Sequence, residues 1–278
     1  MSGLAGASNL QQRVLSGIVL IAVALTLTWA GGIWYRLLAA VFSGALPYAG
    51  LSLTAQGEKP SNRWLAIGLL AVLLILLVSG ASISFLSMAL VGAIIVTGAH
   101  AVRFEAGFWP TLGLAYAGLL GVALSALRGD DAAGLYATLF LFAVVWATDI
   151  LAYFVGRAVG GLKLAPSISP GKTWSGAVGG TVSALIAGLA VASYFGSPLG
   201  WAELAVLILM LSVVSQIGDL FESSIKRRFG AKDSSQLIPG HGGVMDRVDG
   251  LATASFALFL IGALLAGPDA PAGAFFGR

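Results

Sequence analysis

Nine stretches of this chain stay apolar for about twenty residues each, which at 1.5 Å of helical rise per residue matches the ~30 Å hydrocarbon core of a bilayer. They fall near residues 14–33, 35–54, 64–80, 82–99, 108–127, 133–156, 176–196, 201–219 and 249–266. Inside lipid every backbone N–H and C=O must find its partner within the protein, and a continuous helix satisfies them all. The expected fold is all-α: a polytopic integral membrane protein with about nine transmembrane helices. The second stretch fits least cleanly, with Arg36 at its start and Pro47 inside it. Only 10% of the 278 residues are charged, against about 25% in soluble domains. The first run begins after Arg13 and outlasts the roughly 7–15-residue core of a secretion signal, so it reads as a retained span.

An odd number of spans puts the termini on opposite sides. With a cytoplasmic N-terminus, twelve of the fifteen Lys and Arg residues fall in cytoplasmic segments, leaving Arg36, Arg128 and Arg278 outside. The expected location is the bacterial inner membrane, with polar loops 157–175 and 220–248 facing the cytoplasm. The net charge of +3 forms no dense basic face, so nucleic acid is not an expected partner. The absence of cysteine excludes disulfides, thiolate catalysis and cysteine-based zinc sites, and His100 and His241 are too few for a histidine cluster. The expected division is a transmembrane scaffold over 1–130 and a transmembrane catalytic region over 131–278. Oligomeric state is open, a homodimer included.

The densest run of charge lies between Ser223 and Asp249. Lys226, Arg227, Arg228, Lys232 and Arg247 sit within or beside carboxylates at Asp219, Glu222, Asp233, Asp246 and Asp249, a mixture suited to holding a metal and a polyphosphate together. Leading into it, Ser212, Ser215, Gln216, Asp219, Ser223 and Lys226 recur every three or four residues, forming one polar helical stripe. A carboxylate near bilayer depth is costly unless paired or wetted, so Asp219 is expected to face a protein-lined aqueous cavity. On the sixth span Asp149, Tyr153 and Arg157 repeat the pattern at i, i+4 and i+8, either as site residues or simply satisfying one another. Asp246 and Asp249 share a helical face where the last span begins; with Asp219 they can bind a divalent cation, magnesium before calcium, or they cap the helix.

Gly171, Lys172 and Thr173 resemble the tail of a Walker A loop, but Pro166 stands where that loop needs its first glycine. With Ser167 and Ser169 they offer hydroxyls and a cation to a phosphate, or form a juxtamembrane turn. His241, beside Gly242 and Gly243, is either a general base or a hydrogen-bonding loop residue, and His100, Arg103 and Glu105 are expected in a short loop. The small-residue pairs Gly156/Gly160 and Gly176/Gly180 read as close helix packing.

Ser223, Lys226, Arg227, Lys232, Asp233, His241, Gly242, Gly243, Asp246, Arg247 and Asp249 together resemble the signature of the phosphatidate cytidylyltransferases, or CDP-diacylglycerol synthases. The likeness extends through QIGDLFESSIKR from Gln216, DILAYFVGR from Asp149 and LAPSISPGKTWSGAVGG from Leu164; over the first 130 residues it is one of hydropathy alone. It implies transfer of the cytidylyl group of CTP to phosphatidate embedded in the bilayer, with Mg²⁺ and room for a second metal ion. It implies Asp219, Asp246, Lys226 and His241 in catalysis, and Asp219, Asp246 and Asp249 around the metal. Asp149, Ser169, Lys172, Thr173, Ser223, Arg227, Lys232, Asp233 and Arg247 are implied in substrate binding. Ser175 departs from the pattern, standing where many members carry glutamate, and Ile150 and Leu151 are bulkier than usual after the aspartate.

The competing class is a multispan transporter of an anionic solute, which places charge near the midplane of repeated halves; here charge gathers at one face and in one half. The CDP-alcohol phosphotransferase signature is absent, since Asp249 and Gly250 are followed by Leu251, Ala252 and Thr253.

Overall fold

The computed structural model describes residues 9–54, 60–230 and 245–277. Among these, nine helices follow one another: α1 (Asn9–Ala30), α2 (Gly32–Thr54), α3 (Pro60–Ser79), α4 (Ile83–Phe104), α5 (Trp109–Arg128), α6 (Ala132–Val159), α7 (Trp174–Phe195), α8 (Trp201–Arg228) and α9 (Met245–Ala266). The helices α3 to α9 are each long and apolar enough to cross a membrane, while α1 and α2 run 22 and 23 residues over the first two expected spans. The molecule is thus the expected all-α integral membrane protein, with one small addition: an antiparallel hairpin, β1 (Lys163–Ala165) and β2 (Ser169–Thr173), between α6 and α7.

The packing is that of a bundle built for lipid. Large apolar side chains such as Ile75, Met88, Ile186, Val206 and Leu264 face outward, 67–79% exposed, because acyl chains solvate them as well as a core would. The centre belongs to α5, which buries Leu114, Leu120, Val122, Ala123, Ala126 and Leu127, residues from all round the helix. Small residues let the helices of the polar half approach closely. A Cβ on Gly180 would stand 2.5 Å from the Thr148 carbonyl oxygen, and one on Gly176 2.6 Å from that of Ala152, so α6 and α7 meet backbone to backbone. Gly156 belongs to the same seam, 3.3 Å from the Gly176 Cα on the same construction. Gly160 does not: it caps α6 at φ +67°, with open space around it.

Element ends differ from the apolar runs where polar residues continue a helix. α8 extends nine residues past the expected end, to Arg228, so Asp219 and the cations after it share one rigid helix. α4 runs to Phe104, which corrects the loop expected at His100 and Arg103; both lie in its last two turns, with Arg103 favourable beside the helix's negative end. At the end remote from the polar loops, Arg128 is buried and donates through Nε to the Thr28 carbonyl at 2.7 Å, while Arg36 pairs with Asp130 at 3.0 Å.

Candidate active site

The last turns of α6 and α8, the first of α7 and α9, and the hairpin all gather at one end of the bundle. The hairpin is held at three points. Trp174 N–H donates to the Leu162 carbonyl at 3.0 Å, closing its base. Thr173 ends β2 and caps α7, its hydroxyl accepting from Gly176 N–H at 3.1 Å. Arg227 on α8 reaches across to donate through Nε to the Ile168 carbonyl at 3.2 Å. Pro170, lacking a donor, is tolerated because a two-stranded sheet has only edges.

Between these parts lies a cavity of about 540 Å³, within the range that holds a nucleotide-sized ligand. Asp149, Ser169, Lys172, Thr173 and Asp219 line it together, although they come from α6, β2 and α8. Lys172 forms an ion pair with Asp219 across the chamber. The Gly171–Lys172–Thr173 triplet is a strand running into a helix, with the lysine on the cavity wall.

The polar stripe of α8 faces inward as its spacing implied. The Thr148 hydroxyl of α6 donates to Ser212 Oγ at 2.9 Å, Gln216 Nε2 donates to Thr181 Oγ1 of α7 at 3.0 Å, and Ser223 Oγ donates to Asp219 Oδ1 at 3.4 Å. The α9 start packs tightly on this face. A Cβ on Gly250 would lie 3.2 Å from the Ser215 carbonyl oxygen and 3.7 Å from Asp149 Oδ2, and one on Gly218 would overlap Thr253. Asp149, Asp219 and Asp249 thereby converge from three helices.

Behind the cavity wall Lys226 and Asp249, both expected in the site, gather with Glu222 and Tyr116, to which sequence reasoning gave no role. Glu222 is only 1% exposed and pairs with Lys226, itself buried, at 3.4 Å. Buried Asp249 faces Glu222 and lies within electrostatic reach of Asp219 and Lys226. Tyr116 of α5 donates to the Asp249 carbonyl at 3.4 Å and lies within electrostatic reach of all three acids. The sequence held the signal: residues 219, 222 and 226 are spaced i, i+3 and i+7, one helical face.

Ser175 does not line the cavity. Its hydroxyl donates to the Gly160 carbonyl and lies 3.0 Å from that of Thr173, tying the end of α6 to the start of α7. Arg157 donates to Tyr153 Oη at 2.9 Å, on the cavity rim. Asp246 and Arg247 fall in the first turn of α9, with side chains outside the described residues; Lys232, Asp233 and His241 lie outside them altogether.

The donor chemistry of the region suits a hard divalent cation, since Asp149, Asp219, Glu222 and Asp249 offer carboxylate oxygens. Arg157, Lys163 and Lys172 on the cavity wall and Lys226 behind it formally balance these four acids. Among the described residues no three acids or histidines stand close enough to encircle a metal, while Asp219 and Asp249, from two helices, lie within electrostatic reach of one another.

Comparison with known proteins completes the picture. The chain is 49% identical over 274 residues to the phosphatidate cytidylyltransferase of Brucella suis, covering 97% of this chain and 99% of that protein. It is 36% identical over 278 residues to the enzyme of the same name from Haemophilus influenzae, covering 88% and 96%. Against the Bacillus subtilis phosphatidate cytidylyltransferase the match is 40% over 158 residues, 56% of this chain and 58% of that one. The likeness therefore runs well beyond the charged segment, into helices where hydropathy alone had carried it. Residues 11–265 also match the sequence model of the cytidylyltransferase family, and with relatives this similar along nearly the whole chain, the protein belongs to that family.

Proposed function

We propose that this protein transfers the cytidylyl group of CTP to phosphatidate, producing CDP-diacylglycerol and pyrophosphate. The observation that carries this reading is the polar chamber at one end of a membrane bundle, with Lys172 and Asp219 across it, in a chain of this family. An oxygen of the lipid phosphate attacks the α-phosphorus of CTP; that P–O bond forms as the one to the β-phosphate breaks, and pyrophosphate departs with the electron pair. The nucleophile is already anionic, so no strong base is needed, and catalysis consists of bringing polyanions together and neutralising charge on the leaving group.

In this reading Lys172, Lys232 and Arg247 bind phosphate oxygens, with Ser169, Thr173, Ser223 and Asp233 as hydrogen-bonding partners of the substrates. Arg227 fixes the hairpin that carries Lys172, and Lys226 supplies positive charge from behind the wall. His241 positions a phosphate or donates a proton. Asp219, Asp249 and Asp246 would hold Mg²⁺, with Asp149 facing the same chamber. Bound there, the ion supplies charge neutralisation for the triphosphate and the departing pyrophosphate. The helices α1 to α5 act as scaffold and α6 to α9 carry the chemistry. The chamber opens to the cytoplasm from the inner membrane, with the N-terminus on that side, as the distribution of basic residues favours.

The test is purified protein in detergent with phosphatidate, radiolabelled CTP and Mg²⁺, followed for lipid-soluble label and pyrophosphate. Wild type is expected to form both in equal amounts. D219N is expected to lose at least ~10²-fold in turnover while eluting as folded protein. Wild-type protein that is folded yet labels no lipid would overturn the reading; near-normal D219N would overturn the metal assignment.

A further inference from the structure

Arg157 stands at the rim of the chamber on the exposed face of α6, its guanidinium joined to the 60%-exposed Tyr153. At 28 residues, α6 is about 42 Å long, more than the ~30 Å of hydrocarbon, so its last turns stand at headgroup depth. Arg157 is two residues from that end. Eight residues back, about 12 Å deeper, Asp149 lines the same chamber and is also exposed. The chamber therefore extends along α6 from its last turns toward the middle of the helix, between α6, α7 and α8. On the neighbouring strip of the same helix Ile150 and Phe154, one turn apart, are 45% and 60% exposed.

A charged fork at headgroup depth, beside a bare apolar strip and opening into a polar chamber, matches an amphiphile with an anionic head. We propose that Arg157 and Tyr153 form the docking point for the phosphate of the lipid substrate, which slides into the chamber sideways along α6 with its acyl chains against Ile150 and Phe154. This rests on the phosphatidate reading above and adds the side from which the lipid comes. A nucleotide arriving from water carries the same phosphate chemistry, but it meets Lys172 on β2, whereas Arg157 lies on the exposed side of α6 next to the apolar strip of Ile150 and Phe154. The guanidinium suits a phosphate monoester because its paired N–H groups match two oxygens at once.

Steady-state kinetics in mixed micelles separate the two phosphate sources. R157Q is expected to raise the KM for phosphatidate, expressed as micellar mole fraction, by about tenfold or more, the loss of a charge-assisted hydrogen bond, with the KM for CTP within about twofold of wild type. R157K, which keeps charge but loses the fork, and Y153F should each raise it a few-fold; if R157Q does not fold, these two carry the test. An unchanged phosphatidate KM in the folded variants, or a CTP KM that rises as much, overturns the proposal. A binding arm without CTP runs independently of turnover: phosphatidate in dodecylmaltoside micelles should raise the Tm of wild type more than phosphatidylcholine does, and R157Q should lose that difference. Wild type that turns nothing over but keeps the phosphatidate shift refutes the reaction and retains the docking point; wild type without the shift refutes the docking point.

Discussion

The buried pair between Glu222 and Lys226 makes the sharpest energetic prediction. At 3.4 Å and an effective dielectric near 20, the two charges attract by about 5 kcal/mol. Withdrawing both from water consumes most of that gain, so the intact pair adds little net stability, but removing one partner leaves the other buried without compensation, at about 3–5 kcal/mol. Asp249 moderates the first case and aggravates the second. In E222Q the ammonium still has Asp249 nearby, which puts the loss near ~3 kcal/mol. In K226M Glu222 and Asp249 are left facing one another, which puts it near ~5 kcal/mol. The double variant strands no lysine, so its cost should fall short of the sum by at least ~2 kcal/mol. The assay is unfolding by SDS titration in dodecylmaltoside micelles, followed by circular dichroism, for wild type, both single variants and the double. Single costs that add to within ~0.5 kcal/mol would refute the reasoning, because independent sites behave that way.

G180V should lower the Tm through a loss of ~2 kcal/mol or more, since its Cβ would meet the Thr148 carbonyl at 2.5 Å, whereas G92A, with nothing within 4 Å, should leave the Tm unchanged or raise it slightly. S175A should cost ~1 kcal/mol by losing its hydrogen bond to Gly160, with the KM for CTP within about twofold of wild type; a large nucleotide effect would refute a purely structural role for this residue. Beyond α9, Asp269 is held below the usual carboxylate range by hydrogen bonds from the Ser84 hydroxyl and N–H. Its contribution to stability is therefore fully present above the unfolded value of about 3.9 and fades as pH falls through the lower folded value, and D269N should remove that part of the acid sensitivity in a Tm-versus-pH series.

Helix number and placement were legible because lipid demands long apolar runs, and nothing else in the chain imitates them. The ends were less so: hydropathy stops α8 at Asp219, but the backbone continues to Arg228 because residues past it still find partners, Glu222 in Lys226 and in Asp249 of α9, and Arg227 in the hairpin. The hairpin escaped notice because Lys163–Ala165 and Ser169–Thr173 are too short and too polar to show alternation. Asp149, Lys172, Thr173 and Asp219 were found as candidates by charge in an apolar setting and by motif, and the fold does bring them to one cavity. Glu222 was legible only as one carboxylate of the charged run, because spacing cannot show that the packing of α9 against α8 makes it interior. Gly160 was misread for a different reason: spacing cannot distinguish a glycine that admits a neighbour from one that turns the chain.

Lys172 and Asp219 answer each other's charge across the chamber, and that mutual engagement has a thermodynamic corollary. An anion that draws the ammonium away liberates the carboxylate, and a cation seated on the carboxylate liberates the ammonium. Occupancy of either end thus strengthens the other by the same factor, and a triphosphate and its counter-ion are drawn in as mutual helpers.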